Sequence, residues 1–409
     1  MPENFHIDMP EAVRNIIHTI EEHGFKAYAV GGCIRDSILG RNPDDWDITT
    51  SAVPSQIKTF FKRTVDTGIA HGTVTIMIDK TGYEVTTYRI DGEYEDGRHP
   101  KSVEFSDRLV DDLCRRDFTI NAMAYNDTDG FVDEFKGLDD LDTKIIRCVG
   151  EPELRFTEDA LRMMRAIRFS AQLGFTIDEA TWNAIKKLSP SISKISMERV
   201  HVELGKTLMS AHPDYVAQYS EAGLFAPILP VIDNALKSRY KRKILATLQH
   251  TPDNIYLRYA ALFITSTPDE AAKTLRALKL DNKTVNTVSK LVELSKMDIE
   301  ETEPAVRTAL NKYGRDFLTL WHELMMAVIQ ASEDITGISN PAKVKHLLTL
   351  KRLGTDILAR GDCFTIKDLD ISGNDLIEYG LQGHEIGETL KSLLDIVIEN
   401  PCLLYTSPS

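Results

Sequence analysis

Apolar residues at Ala12, Val13, Ile16, Ile17 and Ile20 recur at the three-and-four spacing of one helix face, which predicts an amphipathic helix over 11–23. The stretch 26–30 then reads as a short strand ending at Gly31-Gly32. A helix is expected over 34–39, stopped by Gly40, and a second strand over 45–50. Residues 73–78 and 83–89 read as the arms of a hairpin, with the turn formers of 79–82 between them. Residues 91–102 are polar, hold two glycines and a proline, and read as a flexible loop.

After about residue 150 the strand pattern fades. Helices are expected over 157–173, 179–188, 196–209, 212–223, 237–249, 254–265, 268–279, 283–296, 303–313 and 315–332, with more beyond, including 382–399. The pattern is that of an α/β head followed by a long all-helical part. No strict repeat and no low-complexity tract interrupts it, and 402–409 does not continue the last helix.

Composition changes this picture at three points. No run approaches the roughly 20 apolar residues that span a bilayer, and the first ten residues lack the basic and apolar regions of a signal peptide. A cytoplasmic address with no membrane partner is expected. The five cysteines, Cys33, Cys114, Cys148, Cys363 and Cys402, form no CxxC pair, so reduced and mostly buried thiols are expected rather than a zinc site or a disulfide framework. The formal net charge of −14 excludes a surface coated with basic residues. A nucleic-acid partner would need local basic patches. Two segments qualify: Lys237 to Lys243, which includes Lys241, Arg242 and Lys243, and Lys343 with Lys345, Lys351 and Arg352. Taken alone, each reads first as a solvated helix face and only second as a nucleic-acid contact.

The chemistry concentrates in three segments. In the first, Gly31-Gly32 lets backbone N–H groups approach a phosphate, and the helix that follows directs its positive end to the same place. Arg35 can add a charge-assisted contact to a triphosphate or a ribose. Asp45 and Asp47, two apart on the expected strand, would project from one face and could hold Mg²⁺. Such ions activate an attacking hydroxyl and neutralise charge on a phosphate under attack. Glu84 is a candidate third carboxylate, or else an exposed strand acid. His71, in a Gly-flanked turn, reads as substrate-contacting or structural.

The second segment is Cys114-Arg-Arg116-Asp-Phe-Thr-Ile-Asn121-Ala122 and the third is Glu158-Asp159-Ala-Leu-Arg162-Met-Met-Arg165-Ala-Ile-Arg168-Phe169. Thr157 is expected to cap the helix of the third, with Glu158 and Asp159 in its first turn. Leu161, Met164, Ile167 and Ala171 form its packing stripe. Asp159, Arg162, Arg165 and Arg168 are spaced by three, so each is turned about 60° from the last and they lie side by side. A carboxylate can accept from the exocyclic amine of C or A while a guanidinium donates to the ring edge. Both pairings leave G and U with unmatched polar groups.

GGCIRDSILGRNPDDWDITT resembles the signature motif of the nucleotidyltransferases that include tRNA CCA-adding enzymes and bacterial poly(A) polymerases. The second segment is similar to the family's RRDFT-x-NA block, and the third to the EDxxR block of its class II members. The resemblance is good over roughly residues 20–210 and weaker beyond. It implies a polymerase β-like α/β nucleotidyltransferase head (1–143), then all-α regions: a neck with the base-recognition motif (144–210), a body (211–332) and a tRNA-binding tail (333–409). It implies that Arg116 contacts the nucleotide phosphates and Asn121 shapes the pocket. It implies base choice by Asp159 and Arg162, with Arg165 and Arg168 nearer the phosphates or the tRNA terminus. The activity implied is untemplated CCA addition to tRNA from CTP and ATP, by a monomer or homodimer. The alternatives are an A-adding or CC-adding enzyme, a poly(A) polymerase, or a non-catalytic RNA-binding module. No His-Asp doublet is present, so the phosphohydrolase domain of some relatives is not expected. Enzymes of the family that add the terminal A carry a flexible loop where this chain has 91–101, which is expected to serve the final A.

Overall fold

The computed structural model describes residues 6–92 and 102–401. The chain divides into two compact units, Met1–Pro230 and Val231–Ser409. The expected loop segment 93–101 lies outside the described residues.

The first unit opens on α1 (Glu11–Glu22), whose buried face is Val13, Ile16, Ile17 and Ile20, as the periodicity predicts. It packs on β1 (Ala27–Val30), and each of those side chains contributes about 1.5–3 kcal/mol by leaving water. Then follow α2 (Gly32–Ile38), β2 (Ile48–Thr50), α3 (Pro54–Phe60), β3 (Thr64–Gly68), β4 (Thr73–Ile78) and β5 (Thr81–Thr87). A separate antiparallel pair, β6 (Arg89–Asp91) and β7 (Val103–Phe105), precedes α4 (Leu109–Cys114), β8 (Ala124–Asn126), β9 (Gly130–Val132) and α5 (Gly137–Asp142). The main sheet runs β3-β4-β5-β2-β1-β8-β9. Its pairs are antiparallel except β2 with β5.

Two expectations in the head need correction. Asp45 and Asp47 are not on a strand: β2 starts at Ile48, and the aspartates stand in the segment leading into it. Aspartate is a poor strand former, and Pro43 sits just upstream. The backbone is nonetheless pinned there, since Val30 N donates to Asp47 O at 3.0 Å. The hairpin turn is also tighter than 79–82. Only Asp79 and Lys80 lie between the registered residues Ile78 and Thr81, both with positive φ (47° and 71°), the two-residue turn that matches strand twist.

Beyond the sheet come β10 (Ile145–Ile146), α6 (Pro152–Glu158), α7 (Leu161–Leu173), β11 (Thr176–Ile177), α8 (Glu179–Leu188), α9 (Met197–Leu208) and α10 (Ala217–Glu221), with β10 and β11 paired in parallel. The helix expected over 157–173 is broken. Asp159 is extended, at φ −143° and ψ 105°, and its carboxylate accepts from Leu161 N at 3.0 Å. A short acidic side chain that bonds its neighbours' backbone competes with helix continuation. Thr157 therefore does not cap α7; it lies in the last turn of α6 and donates to Glu153 O. The helix expected over 212–223 is likewise a 3₁₀ turn (Pro213–Val216) and then the short α10.

The second unit is helical: α11 (Pro230–Lys237), α12 (Lys241–His250), α13 (Ile255–Leu262), α14 (Pro268–Ala277), α15 (Asn282–Leu294), α16 (Glu303–Tyr313), α17 (Phe317–Thr336), α18 (Pro341–Arg360), α19 (Gly373–Glu378) and α20 (His384–Glu399). The helix expected over 237–249 starts only at Lys241, because Ser238 turns the chain and its Oγ accepts from Tyr240 N at 3.1 Å, and α11 before it was not expected. Trp321 of α17 is buried and donates to Leu294 O at 3.2 Å. Arg307 is only 2% exposed and ties α16 together with Asp362 and the carbonyl of Ile398. Among the described residues no helix is long and apolar enough to cross a membrane. Cys33, Cys148 and Cys363 are buried free thiols and Cys114 is exposed.

Candidate active site

A cleft of about 710 Å³ opens in the first unit between the end of β1, the approach to β2, α7 and the end of α9. Nine of the residues singled out in the sequence line it: Gly31, Gly32, Arg35, Asp45, Asp47, Arg116, Asn121, Arg165 and Arg168. Glu84, Asp159 and Arg162 do not. The turn from β1 into α2 must be glycine at Gly31. Its φ is +89°, and a Cβ there would stand 2.8 Å from Nη1 of Arg116. The missing side chain lets that guanidinium lie against the turn.

The acidic side of the cleft is electrostatically crowded. Asp47 reaches solvent, yet the cleft walls strip water from it and raise its pKa. Arg116 works against that shift and Asp45 with it. Glu84 is raised by partial burial and then by the charges of Asp47 and Asp45. Register explains the coupling, because Ile48 faces Val85 across parallel strands, so one step back Asp47 comes beside Glu84. Carboxylates that repel one another in a water-poor cleft are a donor set for a hard divalent cation. Among the described residues no group of three or more acidic, His or Cys side chains is poised as a complete metal shell. The pair Asp45 and Asp47 fits an ion that takes the rest of its oxygens from water and phosphate.

The arginines of the cleft are held by a network of acids that sequence reasoning did not assign. Asp117 is 8% exposed and accepts from Arg165 Nε (2.7 Å), Phe118 N (2.9 Å) and Asn121 Nδ2 (3.1 Å). Burial would raise its carboxyl, but Arg165, Asn121 and Arg162 outweigh that and hold it at about 2. Asn121 passes the chain on, accepting from Arg35 Nη1 at 2.6 Å. Asp112 is fully buried and takes Arg115 at 2.7 Å and Arg116 at 3.3 Å. Arg168 pairs with buried Glu203 of α9 at 2.7 Å. The only local hint was the placement of Asp112, Asp117 and Glu203 beside apolar residues.

Asp159 and Arg162 stand apart from the cleft lining and are held by the protein itself. Asp159 pairs with Arg199 of α9 at 2.7 Å. Arg162 donates to Glu158 at 2.5 Å and to the carbonyl of Arg115 at 3.0 Å. His71 is in a 3₁₀ turn, and its carbonyl accepts from Arg89.

In the second unit a cleft of about 520 Å³ is lined by Trp321, Met325 and Ile338, with Lys243 and Lys343 among its polar residues. The two basic segments, far apart in sequence, thus reach one surface. Lys237 is paired with Asp233, and Arg239 stacks on Tyr240.

Comparison with known proteins matches three stretches of the chain. Residues 27–147 match the poly A polymerase head domain, 174–236 the "RNA and SrmB- binding site of polymerase A", and 253–403 tRNA nucleotidyltransferase domain 2. The chain is 49% identical over 230 residues to a CCA-adding enzyme of Limosilactobacillus reuteri, a match covering 55% of this chain and 56% of that one, about half the relative's length. It is 34% identical over 408 residues to the CCA-adding enzyme of Pediococcus pentosaceus, covering 98% of this chain and 95% of that one. Its fold is similar to the Bacillus stearothermophilus CCA-adding enzyme solved in complex with CTP, with a TM-score of 0.74, 32% identity, and coverage of 96% and 93%.

Proposed function

Because the chain belongs to the family of CCA-adding enzymes, we propose that it is a tRNA nucleotidyltransferase that adds C, C and A to the 3′ end of tRNA from CTP and ATP. The observation that carries this reading is the 710 Å³ cleft, which the Asp45/Asp47 pair lines together with Gly31, Gly32, Arg116, Arg35, Arg165 and Arg168. The tRNA 3′ hydroxyl attacks the α-phosphate, a new phosphodiester forms, and pyrophosphate leaves. Asp45 and Asp47 would hold Mg²⁺, which when bound supplies positive charge to the attacked phosphate and favours ionisation of the hydroxyl. Glu84 adds negative charge beside that pair. Gly32 offers a backbone N–H to the phosphates; the N–H of Gly31, expected to do the same, already donates to Met123 O at 3.1 Å, and Gly31 serves by leaving room for Arg116. Arg35, Arg116, Arg165 and Arg168 offer guanidinium donors, and Asn121 keeps Arg35 in place. These substrates meet in the cytoplasm.

The deciding assay uses purified protein, tRNA lacking its CCA end, and CTP, ATP or both. Extension by CC with CTP alone and by CCA with both is expected. Extension by A alone, or long A tails, would replace this reading with an A-adding enzyme or a poly(A) polymerase. Lys241, Arg242 and Lys243 would contact the tRNA backbone. Reversing all three to Glu should raise the tRNA KM and flatten its salt dependence with little change in nucleotide KM. An unchanged tRNA KM would reduce the patch to a solvated face.

Base choice by Asp159 and Arg162 requires both to turn edges now bonded to Arg199, Glu158 and the Arg115 carbonyl toward the nucleotide. Asp159→Ala removes the acceptor for the exocyclic amine of C. Discrimination of CTP over UTP should fall by about 1–3 kcal/mol, the scale of one lost recognition hydrogen bond. A preference equal to wild type in competitive incorporation would place selection elsewhere.

A further inference from the structure

Three of the cleft's guanidiniums converge on the ring of Phe169. The guanidinium carbons of Arg168, Arg35 and Arg165 lie 4.0, 5.1 and 5.4 Å from its ring centroid. The ring is 6% exposed and lines the cleft, and Phe118, itself fully buried, meets it edge-on at 5.8 Å. Each arginine has a different acid behind it: Asp36 for Arg35, Asp117 for Arg165 and Glu203 for Arg168. Those acids come from different elements, and none is common to all three. What the three cations share is the aromatic ring.

We propose that Phe169 is a positioning residue for the polyphosphate, the common platform that holds these three guanidiniums as one anion-binding array. Three like charges gathered at one place repel each other. A carboxylate at the centre would settle them but would also cancel the charge that a phosphate chain needs. An aromatic face attracts a cation through its quadrupole and leaves the net charge in place. The acids each anchor one edge of a guanidinium and offset its charge, while the ring gathers the three groups at the cleft without adding a further negative charge. The ligand class is an inorganic or nucleoside polyphosphate. As a feature of the nucleotide site this rests on the function proposed above. Anion binding by the array can be read without tRNA.

Phe169→Leu keeps an apolar side chain of similar bulk and removes the π face; Phe169→Tyr keeps the face. In the full chain, Phe169→Leu should raise the KM for CTP about tenfold, the scale of weakened cation–π contacts, while kcat and the tRNA KM stay within about twofold. Tripolyphosphate should raise the melting temperature of wild type and of Phe169→Tyr, and raise that of Phe169→Leu much less. Should the Leu variant fail to fold, Arg168→Lys keeps the charge and loses the stacking plane, and it should raise the CTP KM several-fold. A Leu variant with the CTP KM and tripolyphosphate response of wild type overturns the proposal. So do Leu and Tyr variants impaired to the same degree, since ring packing alone would then be the cause. A wild-type protein that binds tripolyphosphate but extends no tRNA would sink the function and leave the array standing.

Discussion

Asp47→Ala is expected to abolish nucleotide addition and to leave tRNA affinity close to wild type. Asp47 is one of two carboxylates in the cleft suited to a divalent cation, and Arg116 and Asp45 already act on its charge. Removing it takes away half of the protein's share of a hard-cation site. A metal's contribution to an attacked phosphate is worth several kcal/mol, so the rate of incorporation should fall by roughly 10³-fold or more. Affinity for tRNA comes chiefly from contacts to its backbone, which this substitution does not touch. Folding should not suffer either. The ionised form of Asp47 is disfavoured where it stands, so its loss relieves repulsion against Asp45 and Glu84. Single-turnover incorporation, tRNA binding by gel shift, and a melting curve measure the three quantities. Incorporation within tenfold of wild type would remove Asp47 from the metal site.

Asp117→Ala is expected to strike stability first. Its carboxylate takes Arg165, Asn121 and the Phe118 backbone, and all three lose their partner at once. Breaking one side of a buried, hydrogen-bonded ion pair costs about 3–5 kcal/mol. Arg165 keeps about a third of its side chain in solvent, so the lower end of that range, about 3 kcal/mol, is the better expectation. The pH dependence has a definite sign. The folded-state pKa is held at about 2, below the ordinary 3.8. The stabilisation is therefore fully present above 3.8 and is lost as pH falls from there toward 2. Urea unfolding of wild type and variant should differ most near neutral pH, and the gap should narrow across that acid window. Function should follow, since Arg165 loses its anchor and Asn121 loses a constraint on Arg35, so the KM for CTP should rise. Equal unfolding free energies at neutral pH would contradict the keystone role.

Those two residues were not equally visible in the sequence. Asp47 announced itself, because a GGxxRD followed by a DxD places close-approach glycines, a cation and paired acids within one short stretch. Asp117 sat inside a recognisable block, yet nothing local said that it would be buried against Arg165, 48 residues later. Phe169 closed the third segment with no role read for it, and only the fold set three guanidiniums around its ring. The break at Asp159 is the clearest case. Helical spacing ran straight through 157–173, but the chain turns where Asp159 bonds Leu161 N and takes Arg199, 40 residues away.

The sequence by itself determined the α/β head and the helical remainder, the amphipathic face of α1, the β4–β5 hairpin, and the glycine turn and acid pair of the cleft. Periods of 2 and 3.6 residues and turn chemistry are local signals, carried by neighbours along the chain. Only the tertiary structure decided that Asp45 and Asp47 precede their strand, that Glu84 comes beside Asp47 through strand register, and that Lys243 and Lys343 line one surface. It also decided which arginines face the cleft and which are tied to internal acids. Burial and charge pairing act through space, between residues whose separation along the chain carries no trace of their contact.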